Sequence, residues 1–547
     1  MFLNRIVGHE LHPAPRLFQP LAPILEGGSQ GSQGFESPNA LAWCMSEVPK
    51  GVNLTSPARG RPRPTATMTL TRDGPKGVEV LLGLRAKTMR AFPNYWAFPG
   101  GGVSSVDKAA VDALEQLAGP EAASIACILR EMSEELGLVP DADGVSSVPN
   151  HARLAIVEDK HQWLPLATSG IVPVNRTRIR TLSHRITPPF GPVQFDNAFL
   201  HLHVGDWQRV PDIDLEPQTE FTEVLWARPV DILARWKAHE IKVAPPVVTL
   251  LMEIERTLER FERDMNKAAA DISRRLPGRR SILFAHGVEV VPIKTATLPP
   301  ADHTNAYLVG DPEGDFVLVD PAVRMREDME ALSAAVERHS GRLLAVVFTH
   351  SHGDHLADMS LLREAFDVPV WGSEYTAKSV PCDRILCDGD LLELGSQTWE
   401  VLVTPGHHPG HVCLLSEAGL VAGDMLAGIG TILIPPGTGD MNAYIAQLNR
   451  LAERKPHLVF PSHGPVVAMP DRLIQHYIDH RKKRHQLVLE AVEGGLSDLA
   501  EIARQAYGDT PDAHPGLARD QTLAHLLAHK ADGKVTETSE GWSAGGK

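Results

Sequence analysis

The 547-residue sequence has no run of eighteen or more apolar residues, and this absence argues against a membrane-spanning helix. Its first residues, MFLNRIVGHELHPAPRLF, lack the apolar core of a secretory signal, so we expect a cytoplasmic protein. Cysteine is scarce. The five cysteines form no CxxC pair, which argues against a disulfide framework and for a reducing compartment.

Positive charge is also in deficit. The chain has 53 Lys and Arg against 68 Asp and Glu, which gives a formal net charge of -15. This balance argues against a broad nucleic-acid-binding surface, although a local basic patch stays open. What is present is an ordinary globular composition, 43% apolar and 22% charged, over a length that requires several domains.

The pattern along the chain predicts an α/β protein with several domains. The start is rich in Gly, Ser and Pro, and a charged helical stretch that ends in Pro and Gly separates two α/β regions. Short apolar runs in the second region predict packed sheets covered by helices. The predicted divisions are a flexible arm over 1–60, a first α/β domain over 61–262, a linker over 263–280, a second α/β domain over 281–468, a small helical domain over 469–536 and a tail over 537–547.

The stretch VFTHSHGDHLADM places three imidazoles and a carboxylate within a few positions, directly after an apolar run. Zinc favours neutral imidazole nitrogen, with carboxylate oxygen as the usual additional ligand. In an H-x-H-x-D-H array, alternate residues can face one metal while the adjacent Asp and His serve a second. Two metals roughly 3.5–4 Å apart would share a bridging hydroxide. Later strand-like runs end in three further candidates: His407, Asp424 and His463.

This arrangement resembles the metallo-β-lactamase superfamily, whose HxHxDH loop, TPGH, GD and last His occur here in the same order. The resemblance implies an αββα sandwich with two zinc ions. Surface histidines scattered through a chain with 25 His are the competing interpretation, but they do not account for partners that each follow a strand-like run. By motif, the ligands are His350, His352 and His407 for the first zinc, Asp354, His355 and His463 for the second, and Asp424 as the bridge.

The same resemblance assigns supporting roles. Asp354 would orient the hydroxide, and Asp320 in LVDPA matches an acidic residue that buttresses the site in this superfamily. His408 and His411 in GHHPGH are candidates to support the ligands or to face the substrate.

The branch of the superfamily can be narrowed. TNAYLVG, CDGDLLELGSQTWEVLVTPGHHPGHVCLL and the helical tail resemble the branch containing β-lactamase-like protein 2, over about residues 285–535. That resemblance implies a C-terminal winged-helix domain, and single-stranded RNA, esters, thioesters or lactones as substrates. The basic run HRKKRH favours a solvated helix face, with a phosphate-contacting strip as the alternative.

A second cluster lies in ASIACILREMSEELGLVP, where Glu131, Glu134 and Glu135 are spaced to share one helix face. Crowded carboxylates are unfavourable unless they are solvated or hold a cation, and such oxygen ligands suit Mg²⁺ or Mn²⁺ with a diphosphate. R-E-x-x-E-E-x-G after FPGGG resembles the Nudix hydrolase box. The resemblance implies an α/β/α sandwich in which Arg130 orients the carboxylates.

LLGLRAKTMRAFPNYWAFPGG and HRITPPFGPVQFDNAFLHLHV resemble the coenzyme A-diphosphatase branch of the Nudix family. Arg85 and Arg90 are kept, while Asn94 stands where the signature has Gly. A long insertion, VSSVDKAAVDALEQLAGPE, interrupts the box, and Ala122 occupies the position of its first Glu. An inactive Nudix fold and a solvated acidic helix are therefore the alternative interpretations of this segment. The candidates for a fourth carboxylate are Glu216, Glu220 and Glu223.

Taken together, these patterns predict a zinc-dependent hydrolase of an ester or thioester, such as an acyl-coenzyme A, that acts through a metal-bridging hydroxide. The Nudix-like domain would hydrolyse a nucleoside diphosphate derivative. One alternative is a single-stranded RNA endoribonuclease. Another is a nucleotide-binding protein with an inactive Nudix fold and a tail that forms a homodimer. The expected partner is a small, nucleotide-bearing substrate and not a membrane.

Overall fold

Residues 1–59 of the predicted arm and Arg90 lie outside the residues that the structure describes. Among the residues described, no helix is both long enough and apolar enough to cross a membrane. The computed structural model describes residues 60–89, 91–189, 193–217, 219–275, 281–511 and 513–545.

The first half contains a mixed seven-stranded sheet with the central order β3-β2-β1-β8-β7, where β4 also pairs with β1 and β9 with β2. β1 and β8 are parallel neighbours, and a separate hairpin joins β5 to β6. The strands are β1 Arg63–Gly74, β2 Gly77–Arg85, β3 Trp96–Ala97, β4 Gly100–Gly102, β5 Leu138–Pro140, β6 Val145–Ser147, β7 Arg180–Ile186, β8 Phe195–Asp206 and β9 Phe221–Ala227.

Helices cover both faces of this sheet. Leu200 and Leu202 of β8 pack on one side with Ile128, whereas Phe199 packs on the other side with Trp236. Apolar residues that alternate along each strand therefore pack into two cores, one on each face of the sheet. The helices are α1 Ser105–Ala113, α2 Ala122–Glu131, α3 Asn150–Glu158, α4 Trp163–Thr168, α5 Pro229–Lys237, α6 Pro245–Arg260 and α7 Met265–Ile272, with short 3-10 turns at Glu115–Leu117, Lys160–Gln162 and Trp207–Arg209.

The second half contains two sheets, one of seven strands in the order β10 to β16 and one of five strands in the order β17 to β21. The strands are β10 Leu283–Ala285, β11 Val288–Lys294, β12 His303–Gly310, β13 Asp315–Val319, β14 Arg342–Val347, β15 Val370–Gly372, β16 Arg384–Ile385, β17 Leu391–Leu394, β18 Gln397–Val403, β19 Val412–Ser416, β20 Gly419–Gly423 and β21 Val459–Pro461.

The two sheets pack face to face. Val319 and Val347 from the larger sheet share one core with Trp399 and Leu414 from the smaller sheet. The opposite face of each sheet is covered by helices, which gives the αββα layering that the sequence predicts. These helices are α8 Arg326–Val336, α9 Met359–Ala365 and α10 Met441–Arg454, with a 3-10 turn at Thr376–Lys378.

The sandwich core continues into the first half of the chain. Phe92 stacks on Phe284 with ring centroids 6.3 Å apart, and Trp236 lies edge-on to His286 at 5.7 Å. One cluster of buried apolar side chains includes residues from both halves. The predicted boundaries between these domains stay predictions, but the packing between the two halves is continuous.

Three helices and a hairpin follow the sandwich, in the predicted order. They are α11 Pro470–Glu493, α12 Leu499–Ala506, α13 Pro515–Ala531, β22 Val535–Thr538 and β23 Gly541–Ala544. The final strand lies inside the segment predicted as a tail, because Trp542 packs into the same small core as Val535. The winged-helix assignment stays a prediction.

The basic run in α11 differs from the expected solvated face. Arg481 and Arg484 are buried, with 2% and 3% of their surface exposed. Arg481 donates to Gln521 at 2.9 Å, and Arg484 donates to the Ala506 carbonyl. The prediction of a solvated face is wrong for these two arginines, because their guanidinium groups hold α11 against its neighbouring segments.

Candidate metal centre

Four strands of the sandwich lead into polar side chains. β14 precedes His350 and β18 precedes His407. In the same way, β20 leads into Asp424 and β21 into His463. The seven predicted ligands are all buried: His350, His352, Asp354, His355, His407, Asp424 and His463.

The loop after β14 is folded compactly. The His355 N–H donates to the His352 carbonyl at 3.1 Å, and the Ala322 N–H donates to the His355 carbonyl at 3.2 Å. Asp358 then caps α9 by accepting two backbone N–H groups. These hydrogen bonds hold the loop backbone in a compact conformation.

The seven side chains form two overlapping groups. In the first, the ring nitrogens of His350 and His352 lie 3.0 Å apart, and those of His352 and His407 lie 2.9 Å apart. In the second, one ligand atom each from Asp354, His355 and His463 lies within 4.8 Å of the others. The structure therefore brings together both predicted triads, each of which could hold a metal ion.

Asp424 lies between the two triads. Its Oδ2 is 3.6 Å from His407 Nε2 and 3.6 Å from His355 Nε2, while its Oδ1 is 3.4 Å from His463 Nε2. Ligand atoms about 2.0–2.1 Å from one tetrahedral zinc lie roughly 3.3 Å apart. The spacing around Asp424 matches that separation on both sides, as a bridging carboxylate requires.

Several polar atoms in this cluster have no hydrogen-bond partner among the residues that the structure describes. They are both carboxylate oxygens of Asp354, Nε2 of His355 and Oδ1 of Asp424. A buried polar atom without a partner is costly, and a metal ion would satisfy all of these atoms at once. The residues present therefore fit a pair of divalent cations.

Asp320 supports the loop from beneath. Its Oδ1 accepts the Thr349 N–H at 2.8 Å, and its Oδ2 accepts the Thr349 hydroxyl at 2.6 Å. The same Oδ2 lies 2.9 Å from His355 Nδ1. A carboxylate that accepts from Nδ1 leaves Nε2 of His355 turned towards the ligand cluster.

Backbone carbonyls orient two further rings. His407 Nδ1 lies 2.6 Å from the Leu433 carbonyl, and His463 Nδ1 lies 3.1 Å from the His303 carbonyl. A carbonyl can only accept, so each Nδ1 carries a proton, and Nε2 is left as the nitrogen of each ring that could bind a metal. The sequence contains no motif for Leu433 or His303, because these contacts depend on how distant segments pack.

His411 does not face the cluster as a ligand. Its Nε2 accepts the Asp424 N–H at 2.9 Å, and its Nδ1 lies 2.7 Å from Thr404 Oγ1. It therefore holds the backbone of Asp424. The neighbouring His408 lies at the side of the cluster, with Nε2 3.1 Å from Ser351 Oγ.

Burial and charge act in opposite directions on the cluster. Burial, together with the neighbouring His355, lowers the pKa of His350 well below its usual value. Burial also opposes protonation of His355 and His463, but the carboxylates of Asp424 and Asp354 outweigh it and raise the pKa of both imidazoles. The carboxylates thus favour the protonated, positively charged form of these two buried histidines.

The comparisons with known proteins agree with this geometry. Residues 299–463 match the family model described as the metallo-beta-lactamase superfamily, and this range includes all seven clustered side chains. Residues 299–463 form a metallo-β-lactamase superfamily domain. Proteins of this superfamily are generally metal-dependent hydrolases, and the fold implies binding of divalent metal.

Two curated relatives match the metallo-β-lactamase half. A beta-lactamase-like protein 2 homolog of Caenorhabditis elegans is 25% identical over 216 residues, which cover 38% of this chain and 72% of the relative. An atrochrysone carboxyl ACP thioesterase of Aspergillus fumigatus is 26% identical over 223 residues, which cover 38% of this chain and 69% of that protein.

A solved NUDIX hydrolase from Alicyclobacillus acidocaldarius is 25% identical, covers 36% of this chain and 92% of its own, and gives a TM-score of 0.31.

The predicted acidic helix is not a regular helix throughout. α2 ends at Glu131, and a π-helical turn over Met132–Leu136 carries Glu134 and Glu135. The π-helical turn changes the angular spacing of these residues from that of the regular i, i+3, i+4 pattern. Among the residues described, no three carboxylates of this region converge within 4.8 Å, in contrast to the metallo-β-lactamase triads.

Arg130 organises this region through a partner that the sequence did not predict. Its Nε lies 2.8 Å from Asp107 Oδ1 and its Nη2 lies 3.2 Å from Oδ2, with both side chains buried. Arg130 also contacts Glu131 at 2.9 Å and Glu134 at 3.2 Å. Asp107 comes from the inserted segment. It provides a carboxylate partner for Arg130, whereas Ala122, at the position of the first Glu of the Nudix box, has no carboxylate. The sequence signal that could have pointed to Asp107 was the S-x-x-D helix-capping pattern, of which Asp107 is the last residue.

Glu135 is a second deeply buried carboxylate of this region. It is 1% exposed, and neither of its oxygens has a hydrogen-bond partner within the described residues. Burial, together with the Glu131 and Glu220 carboxylates, raises its pKa well above the usual value. Burial likewise raises the pKa of Glu131 to about 7. Of the three candidates for a fourth carboxylate, Glu220 lies near this cluster and pairs with Arg85 at 3.1 Å.

Proposed function

We propose that the metallo-β-lactamase domain is a dinuclear zinc hydrolase that cleaves a thioester or ester. The observation that supports this proposal most strongly is the position of Asp424 between two buried triads, together with the buried atoms that have no hydrogen-bond partner. In this proposal, the first zinc is held by His350, His352 and His407, and the second by Asp354, His355 and His463.

The roles of the chain's own residues follow from their positions. A bound pair of divalent ions would supply Lewis acidity and lower the pKa of water towards ~7. Asp354 has two buried oxygens without a hydrogen bond, so it can accept from the attacking water and hold it beside the substrate. Asp320 and the carbonyls of Leu433 and His303 fix the histidine rings, so the site does not need to reorganise during the reaction.

The proposed reaction consumes one water. The water oxygen forms a bond to the thioester carbonyl carbon, and the carbon–sulfur bond breaks. The products are a carboxylic acid and a free thiol, which share the two protons of the water. A relative named as an acyl carrier protein thioesterase supports a thioester as the substrate. The likeness of the first half to coenzyme A-type Nudix sequences suggests an acyl-coenzyme A.

The test is release of free thiol from a panel of acyl-coenzyme A esters, with zinc supplied to the purified full-length chain. We expect turnover by the wild-type protein and none by His352→Ala, whose zinc content should fall by one equivalent. His476→Gln serves as the control, because His476 lies on the exposed side of α11, outside both triads. A wild-type protein whose two triads are loaded with zinc but that releases no thiol would overturn the thioester proposal.

A second proposal concerns the first half. Buried Glu135, with no hydrogen bond to either oxygen, supports Mg²⁺ or Mn²⁺ binding by Glu131, Glu134 and Glu135, with Arg130 orienting them. The corresponding activity is hydrolysis of a nucleoside diphosphate derivative.

Cleavage of the diphosphate bridge in nucleoside diphosphate derivatives, coenzyme A included, tests this second proposal, and chromatography of the two phosphomonoester products measures it. We expect Mn²⁺-dependent hydrolysis that Glu135→Gln abolishes, while Glu223→Gln on the exposed side of β9 retains it. Wild-type protein that neither binds Mn²⁺ nor hydrolyses any of these compounds would identify an inactive, nucleotide-recognising fold. Calorimetry with nucleotides on chelated protein would then measure that binding.

Cleavage of single-stranded RNA is the alternative for the metallo-β-lactamase domain. The net charge of -15 and the burial of Arg481 and Arg484 reduce the basic surface that would bind phosphates. Labelled single-stranded RNA incubated with wild type and His352→Ala distinguishes the two substrates. Cleavage by the wild type alone would favour the endoribonuclease.

A further inference from the structure

A second histidine cluster lies in the helical region after the sandwich. His525 and His529 are one turn apart on α13, and His485 faces them from α11. The rings of His485 and His529 stack with centroids 3.6 Å apart, and the Nδ1 atoms of His485 and His525 lie 3.1 Å apart. Three imidazoles from two helices thus share one space, and none of them belongs to the metallo-β-lactamase triads.

The donor atoms in this cluster are partly defined by their other contacts. His529 Nε2 lies 2.8 Å from the His485 carbonyl, so this nitrogen is protonated and Nδ1 carries the lone pair. That Nδ1 is buried and has no hydrogen-bond partner among the residues described, and the same is true of His525 Nε2. Both side chains are at most 1% exposed. A buried nitrogen without a partner is costly, and a bound cation would satisfy Nδ1 of His529.

A carboxylate completes the cluster. Asp532 follows the last turn of α13, and one ligand atom each from His485, His529 and Asp532 lies within 4.8 Å of the others. Lys534 Nζ lies 3.0 Å from Asp532 Oδ2, and Asn442 Nδ2 lies 2.9 Å from Oδ1. The Asp532 side chain is at the exposed rim of the cluster, so an ion could enter from solvent.

We propose that His485, His529 and Asp532, with His525 beside them, form a third metal site that binds one ion of the zinc class. Two or three imidazoles with one carboxylate suit zinc, nickel or copper better than magnesium. The stacked rings of His485 and His529 cannot ligate one ion in their present orientation. Binding therefore requires the half-buried His485 ring to turn. A bound ion would link α11 to α13 through His485 and His529.

The experiment separates this site from the metallo-β-lactamase site. A full-length chain carrying His352→Ala and His463→Ala has a disabled sandwich site, and we expect it to retain one equivalent of tightly bound Zn²⁺ or Co²⁺. Adding Asp532→Asn should weaken that binding at least ~10-fold, because Asp532 is lost as a ligand while its exposed position leaves the fold intact. Adding His529→Gln should abolish it.

Thermal unfolding gives a readout that does not depend on catalysis. Zn²⁺ should raise the melting temperature of the His352→Ala, His463→Ala chain, and Asp532→Asn should remove that rise. His476→Gln, one exposed histidine of α11, should leave both the binding and the rise unchanged. Equal zinc binding with and without Asp532→Asn and His529→Gln would overturn the third site, whatever the outcome for the thioester.

Discussion

Single carboxylates and imidazoles decide the chemistry of this chain at the residue scale. Asp320 accepts hydrogen bonds from the loop backbone, a hydroxyl and a histidine ring, and it does so from a strained backbone conformation with φ of 45°. Residues with a Cβ rarely adopt this conformation, because a positive φ is unfavourable for them. The strain is stored beside the proposed metal ligands, which need a fixed orientation.

Asp320→Asn tests that role. An asparagine replaces one oxygen with an NH₂ group, which cannot accept the His355 Nδ1–H, so the ring loses its orientation. We expect zinc affinity at the second triad to fall roughly 10–100-fold, measured by competition with a chromophoric chelator. Asp315→Asn, at the other end of β13 and paired with Arg342 at the surface, is the control. Unchanged affinity in Asp320→Asn would show that Asp320 does not orient the ligand.

His201 gives a pH prediction at the same scale. It is buried on β8, bonded to Thr71, and burial, with His203 and Arg180 nearby, lowers its pKa to about 3. The unfolded imidazole takes up a proton below its ordinary pKa of about 6.5, whereas the folded one does not. Stability from the neutral His201 is therefore complete above that pH and is lost as the pH falls towards 3.

The expected loss from this residue is about 2 kcal/mol between pH 7 and pH 5. It is measured as the difference in unfolding free energy between those pH values, by urea titration of chelated wild type and His201→Gln. Replacement by a residue that does not titrate should make the pH dependence shallower by that amount. Identical pH dependence in the two proteins would contradict the prediction.

At the scale of elements, the end of β20 is the most constrained point of the site. Gly423 has φ of 51°, and a Cβ there would lie 2.4 Å from Nε2 of His411, the ring that holds Asp424. The glycine is therefore required both by the backbone and by the close approach of the imidazole.

Gly423→Ala should displace His411 and with it the bridging Asp424. We expect a destabilisation of about 1–3 kcal/mol and the loss of bound zinc, measured by thermal unfolding and metal analysis. Gly389→Ala is the matched control, because Gly389 also has a positive φ, of 83°, but open space around it. The control should lose some stability and keep its zinc. Equal zinc loss in both variants would assign the effect to strain alone.

The elements that the sequence predicts well are those fixed by local chemistry. Each ligand of the sandwich follows a strand whose apolar run is visible in the sequence, so the meeting of His350, His407 and Asp424 could be anticipated. Asn94, in place of a signature glycine, adopts φ of 62°, which asparagine tolerates. In such cases the residue type itself carries the structural information.

Other features depend on packing that no local pattern contains. A π-helical turn follows Glu131, whereas periodicity alone predicts an ordinary helix there. Asp107 reaches Arg130 from an inserted helix, so its role requires the tertiary contact. The burial of Arg481 likewise depends on Gln521, forty residues away in sequence.

At the scale of the whole molecule, the two halves are joined through a common core. Trp236 of α5 is 2% exposed and lies edge-on to His286, which belongs to the turn between β10 and β11. Lys242 reinforces the junction by donating to the Ala468 carbonyl at 2.8 Å. A core that includes residues from both halves should make the halves unfold together, because unfolding of one half would expose core side chains of the other half to solvent.

Trp236→Ala tests this coupling. Removing a buried indole costs about 3–5 kcal/mol, and the loss should lower the melting temperature of the metallo-β-lactamase half as well as the first half. Calorimetry should show one transition, and zinc release should occur at the same temperature as that transition. Val230→Ala, at an exposed position on the same helix, should leave both unchanged. Two transitions, with zinc release at the wild-type temperature in Trp236→Ala, would show that the halves unfold independently despite their shared core.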